Sequence, residues 1–129
     1  PIAARVERRG VSYTADLITE KLENTKTFGD CLRDQSASEQ IFLTIGETIK
    51  NFHAKGCYHP DLNVENILID ESQKVFLLDF DRWKRKEESK RIGITNIERL
   101  ERSIRKRLGS KGLPFPQKEW QGFLAIYYS

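Results

Sequence analysis

His59-Pro60-Asp61-Leu62-Asn63-Val64-Glu65-Asn66, followed by Asp79-Phe80-Asp81, is the stretch on which the reading of this chain turns. Four residues separate Asp61 from Asn66, and twelve separate Asn66 from Asp79. Asn66-Ile67-Leu68-Ile69-Asp70 reads as a short apolar strand, Glu71-Ser72-Gln73 as a polar turn, and Val75 to Phe80 as a second strand. A hairpin of that length returns the chain, so Asp79 is expected near Asn66. Three oxygen-bearing side chains at this spacing suit phosphoryl transfer from a nucleotide. That chemistry needs a carboxylate to orient the acceptor hydroxyl and take its proton, and hard oxygen ligands for magnesium. Asp61 fits the first role, and Asn66 and Asp79 the second.

Asp and Asn are also the commonest turn formers, and one Asp-x-x-x-x-Asn alone would say little. The flanking sequence narrows the reading. A helix is predicted over Glu39 to Lys55, with Ser36 or Ser38 as its cap and Gly56 as its stop, leading through Cys57-Tyr58 into the loop. Its residues Ile41, Phe42, Ile45, Ile49 and Phe52 recur at helical spacing and mark a core face. His53, beside that stripe, reads as a packing histidine with a satisfied ring nitrogen. A shorter helix is predicted over Thr27 to Asp34.

With 129 residues, 38% hydrophobic and 32% charged, the chain can bury one core but not two. It contains no run of about 18 apolar residues and no signal-peptide pattern, so neither a membrane-spanning helix nor export is expected. Cys31 and Cys57 are too few for a disulfide framework and, with two histidines, make a poor zinc site; a reducing compartment is expected. The chain opens at Pro1 and has no Met, so a fragment of a longer protein is expected.

The spacing of Asp61, Asn66 and Asp79, with the entry helix and the hairpin, resembles the catalytic loop and metal motif of the protein-kinase-like superfamily. The resemblance implies an α+β fold in which 24–129 form the carboxyl-terminal lobe, mainly helical with short β-hairpins. Residues 1–23 would be the last hairpin of the amino-terminal lobe and the hinge, with most of that lobe absent. It implies ATP and Mg²⁺, with Glu20 and Leu22 at the adenine edge, Leu68 beneath the base, and His59 bracing the loop. The Gly-rich loop and strand lysine would lie upstream of Pro1. Residues 1–129 alone are therefore expected to transfer no phosphate, to bind nucleotide weakly, and to self-associate through an uncovered apolar face.

Pro60, Asn63 and Asp81 stand where regulated protein kinases carry arginine, lysine and glycine, and no Ala-Pro-Glu follows. These departures point to small-molecule kinases. Tyr58 to Asp70 and Leu77 to Arg82, with Ala3-Ala4-Arg5, Tyr13 to Glu20 and the arginine-rich Asn96 to Leu108, are similar to the lipopolysaccharide core kinases. That implies ATP-dependent phosphorylation of the 4-hydroxyl of Kdo (3-deoxy-D-manno-octulosonic acid) on Kdo-lipid A, by a cytoplasmic enzyme peripheral to the bacterial inner membrane. A heptose, aminoglycoside or choline acceptor stays open. So does a pseudokinase lobe serving only as an interaction surface, although a lobe freed from catalysis has no chemical reason to keep all three of Asp61, Asn66 and Asp79.

Net charge is only +3, yet Arg82, Lys84, Arg85, Lys86, Lys90 and Arg91 cluster after the metal motif. Arg99, Arg102, Arg105, Lys106, Arg107 and Lys111 follow on a helix whose seam is Ile97, Leu100, Ile104 and Leu108, leaving the basic residues outward. Such a face suits an acceptor bearing a carboxylate and phosphates, or anionic lipid; a plain solvated face is the other reading. No aromatic-interleaved basic motif points to nucleic acid.

Overall fold

The computed structural model describes residues 24–82 and 86–129; the hairpin and hinge expected over 1–23, with Glu20 and Leu22, lie outside the described residues. In chain order the elements are β1 (Thr25–Thr27), α1 (Phe28–Arg33), α2 (Glu39–Ala54), β2 (Cys57–Tyr58), a 3-10 turn (Val64–Asn66) and β3 (Ile67–Asp70). They continue with β4 (Val75–Leu77), β5 (Asp81–Arg82), α3 (Lys86–Gly109) and α4 (Gln117–Tyr127). The described part is thus α+β: four α-helices, an antiparallel sheet ordered β1-β3-β4, and an antiparallel pair β2-β5.

Local chemistry sets the boundaries. Thr27 caps α1 by accepting from the Asp30 N–H, and Ser38, not Ser36, caps α2 by accepting from the Ile41 N–H. Gly56 stops α2 at φ +80°, a left-handed conformation open to glycine without steric cost. The predicted stripe of α2 is buried, Phe42, Ile45 and Ile49 completely, and α4 lies across it with Trp120 and Phe123 stacked 4.5 Å apart. Burial of each such side chain stabilises by roughly 1.5–3 kcal/mol.

Two boundaries differ from the sequence reading by more than one residue. The second hairpin strand ends at Leu77 rather than Phe80, because Asp79 takes φ +64° and turns the chain out of the extended region. The arginine-rich helix begins at Lys86, so the predicted Asn96 to Leu108 is only its second half.

The register pairs Ile67 with Leu77, Leu68 with Phe76 and Ile69 with Val75. Alternation sends Ile67, Ile69, Val75 and Leu77 into the main core. Leu68 and Phe76 point to the opposite face; both are buried, yet neither belongs to the core cluster. The seam of α3, Ile97, Leu100, Ile104 and Leu108, joins the core as its spacing predicts.

Candidate active site

The loop from His59 to Asn66 is held from below by apolar anchors and from the side by its own polar atoms. Leu62 and Val64 are 1% and 2% exposed, which fixes the loop to the core at two points. Asn63 caps the 3-10 turn by accepting from the Glu65 N–H at 2.8 Å, while the Asn66 Oδ1 accepts from the Asn63 N–H at 3.1 Å. This reciprocal box gives a physical role to Asn63, one of the departures from the protein-kinase pattern. His59 is buried, and its Nδ1 accepts from the Asp61 N–H at 2.7 Å, the bracing role expected of it. The Asp61 carboxylate projects outward with 72% of its side chain exposed.

A stripe of α3 then clamps the loop along its length. Asn96, 2% exposed, accepts from the His59 N–H at 3.0 Å and donates to the His59 carbonyl at 2.7 Å. Arg99 donates to Asp61 Oδ1 at 3.1 Å, Ser103 Oγ accepts from the Val64 N–H at 2.9 Å, and Arg107 pairs with Glu65. Residues 96, 99, 103 and 107 fall on one helical face, so α3 meets the loop residue after residue. The Arg107–Glu65 pair sits against Gly29 of α1, where a Cβ would lie 2.7 Å from Arg107 Nη1 and 2.8 Å from Glu65 Oε2.

Asn96 also reaches the other side of the site. Its Oδ1 accepts from the His53 Nε2–H at 3.1 Å, and the Tyr127 hydroxyl donates to His53 Nδ1. His53 stacks on Tyr58 with ring centroids 4.6 Å apart. Burial pushes its pKa down to about 4, against a smaller opposing effect of Asn96, and the same burial pushes the Tyr127 hydroxyl up. His53 is therefore the satisfied packing histidine its position predicts.

Asp79 is brought up to the loop by the hairpin. The Leu78 N–H donates to the Asn66 carbonyl at 2.9 Å, setting Asp79 next in chain to a residue bonded to Asn66. Phe80 anchors the segment: it is 3% exposed and packs edge-on to Phe52 at 5.4 Å and to His59 at 5.3 Å. Asp79 itself is exposed, and among the described residues its carboxylate makes no hydrogen bond or ion pair. An amide oxygen with one lone pair still open and a carboxylate without a partner among the described residues are each the kind of hard-oxygen donor that Mg²⁺ takes. Among the described residues no group of three or more His, Cys, Asp and Glu side chains could hold a metal by itself. A magnesium shared with nucleotide phosphates needs only one or two protein carboxylates. Leu68 lies in β3 directly after Asn66 and Ile67, on the sheet face away from the core.

The sequence reading missed the α3 clamp. Arg99 and Arg107, read as outward-facing cations, are joined to the loop carboxylates, and Arg105 pairs with Glu101 and covers the Phe115 ring at 3.9 Å. Lys84 and Arg85 of the first basic cluster lie outside the described residues; Lys90 and Arg91 are exposed. Cys31 and Cys57 are buried and unbridged. Among the described residues no helix is long and apolar enough to cross a membrane.

Comparison with known proteins adds relatives to this geometry. The model of the lipopolysaccharide kinase (Kdo/WaaP) family matches residues 1–127. The 3-deoxy-D-manno-octulosonic acid kinase of Photobacterium profundum is 36% identical over 129 aligned residues, covering 94% of this chain and 51% of the relative. That of Vibrio cholerae is 38% identical, covering 88% of this chain and 48% of the relative, and that of Haemophilus influenzae (strain PittEE) 35%, covering 99% and 55%. The chain spans about half the length of the curated relatives it matches.

Proposed function

The chain belongs to the lipopolysaccharide kinase (Kdo/WaaP) family, and from that premise we propose that it carries the phosphotransfer residues of an ATP-dependent kinase acting on the 4-hydroxyl of Kdo in Kdo-lipid A. In this reading 24–129 are the carboxyl-terminal lobe of a protein-kinase-like fold, and 1–23 contribute the last hairpin of the other lobe and the hinge. Asp61 is the base. It accepts a hydrogen bond from the acceptor hydroxyl and takes its proton as the sugar oxygen bonds to the γ-phosphorus and ADP leaves. Asn66 and Asp79 would hold Mg²⁺, which when bound neutralises charge on the phosphate oxygens. Leu68 forms the floor under the adenine, and Glu20 and Leu22 meet its edge. The enzyme works peripherally on the cytoplasmic face of the inner membrane, where its lipid-anchored acceptor is made.

The observation that carries this reading is the contrast at Asp61. Its backbone is fixed by His59 and by buried neighbours, while its side chain, paired with Arg99, is 72% exposed and lines a groove. A base must be held still and yet reach a substrate. Phosphate transfer by the full-length protein from ATP to Kdo-lipid A, compared with heptosylated lipid A, tests it. Product bearing phosphate on the Kdo 4-oxygen is expected. Turnover restricted to the heptosylated acceptor, or no turnover with either, would overturn the proposal.

A further inference from the structure

Between the 61–65 loop and α3 lies a groove of about 640 Å³. Four cations line it, Arg99, Arg102, Lys106 and Arg107, against two carboxylates, Asp61 and Glu65. Arg99 is joined to Asp61 and Arg107 to Glu65, so the charge of each carboxylate already has one of these cations as its partner. Arg102 and Lys106 remain. Both are exposed, and among the described residues neither is ion-paired, although Glu98 stands one turn before Arg102.

Two uncompensated positive charges thus occupy one groove at positions 102 and 106, one helical turn apart on the face that reaches Asp61 through Arg99. A pair of cations that close repels itself, and a dianion between them removes the repulsion. Arginine presents a planar fork and lysine a mobile point charge, both of which bind phosphate, and a phosphate can carry the two negative charges that answer two cations where a carboxylate carries one.

We propose that this groove is a phosphate subsite, in which Arg102 and Lys106 hold a phosphate group while the hydroxyl to be phosphorylated lies at Asp61. The proposal rests on the kinase reading for the role of Asp61, but not for the subsite itself. The phosphate belongs either to the acceptor, whose lipid A part carries phosphates, or to anionic lipid of the membrane surface; the chemistry is shared. Because the subsite is open to solvent, its strength falls with ionic strength.

The experiment compares the full-length wild-type protein with Arg102→Gln/Lys106→Gln and with the charge-keeping exchange Arg102→Lys/Lys106→Arg. Both positions are exposed, so the fold tolerates these changes. Broadening of the phosphorus NMR signal of inorganic phosphate, at low salt and without ATP, reads the subsite directly. It should be seen with wild type and the exchange variant and be lost in the glutamine variant. Equal broadening in all three proteins overturns the proposal. This readout needs no catalysis, so it stands apart from the failure of the kinase reading, which would show as absent turnover by wild type.

Two further arms assign the source. If the phosphate is the acceptor's, the glutamine variant has a KM for Kdo-lipid A raised about tenfold, and the rise vanishes on acceptor stripped of its lipid A phosphates. If it is the membrane's, the variant instead loses binding to phosphatidylglycerol vesicles, with phosphatidylcholine vesicles as the control, and the acceptor KM stays at the wild-type value. A KM raised equally on both acceptors, or no change in either arm, overturns the subsite.

Discussion

Asp61 and Asp79 are both exposed carboxylates in the proposed site, yet the molecule supports them by opposite means. Asp61 sits on a loop whose backbone is hydrogen-bonded at nearly every residue, to His59, Asn96, Ser103 and its own Asn63–Asn66 box. Asp79 sits on a left-handed residue between a strand end and the buried ring of Phe80, and among the described residues its carboxylate is unpaired. A base has to be aimed before the substrate arrives. A metal ligand has to be free to accept its ion, and a backbone conformation costing about 1–2 kcal/mol is tolerable if it aims the carboxylate out of the sheet. The comparison can be attacked from either side.

The heaviest blow falls on the loop clamp. Asn96→Ala leaves the His59 N–H, the His59 carbonyl and the His53 Nε2–H without their buried partner. At roughly 1–3 kcal/mol for each unsatisfied group, and allowing for water entry, the expected loss is about 4 kcal/mol. Urea unfolding of the full-length protein measures it. A loss under about 1 kcal/mol would show that the clamp does not hold the loop.

A change of pH works on the same hub without mutation. His53 is neutral when folded, its pKa lowered to about 4, whereas in the unfolded chain it titrates near 6.5. Its contribution is therefore fully present above about pH 6.5 and is lost as the pH falls through the window down to about 4. The slope is at most about 1.4 kcal/mol per pH unit, or about 3 kcal/mol in all. The unfolding midpoint should fall on acidification, and His53→Gln should flatten that fall. An unchanged slope in the variant would move the titration elsewhere.

Asp61→Asn keeps the loop and removes the proposed proton acceptor. Turnover should drop about 100-fold or more with little change in ATP affinity. Wild-type turnover would end the base assignment, and a parallel loss of ATP affinity would place Asp61 on the nucleotide side of the site instead.

The loop half of this comparison was legible in the sequence because it is local. Capping chemistry, the Gly56 stop and the apolar run Ile67 to Ile69 are written in neighbouring residues. The clamp was not legible. Helical periodicity singles out Ile97, Leu100, Ile104 and Leu108, and the polar stripe at 96, 99, 103 and 107 has the same spacing. Nothing in the chain says that this stripe faces residues some 40 positions earlier. The start of α3 was hidden for a related reason. Gly93 lowers helix propensity, but here it lets the helix approach Tyr127, where a Cβ would lie 2.9 Å from the hydroxyl. The early end of β4 was masked by the apolar run Val75 to Leu78, since a single residue turning left-handed leaves no periodic trace.

The smallest effect addresses Asp79 alone. Gln73 and Asp79 share nearly the same left-handed backbone, at φ +67° and +64°, but Gln73 lies in the β3–β4 turn. Glycine at either position relieves about 1–2 kcal/mol of local strain and gives back about 0.5–1 kcal/mol through the more flexible unfolded chain. Both Asp79→Gly and Gln73→Gly should therefore stabilise the protein slightly, by about 0.5 kcal/mol. Their effects on function should diverge: Gln73→Gly transfers phosphate like wild type, while Asp79→Gly loses turnover together with its dependence on magnesium. Thermal midpoints and initial rates at varied Mg²⁺ measure both. A stabilised Asp79→Gly protein with normal turnover would mean that the strain at Asp79 serves the turn and not the metal, and the contrast with Asp61 would collapse.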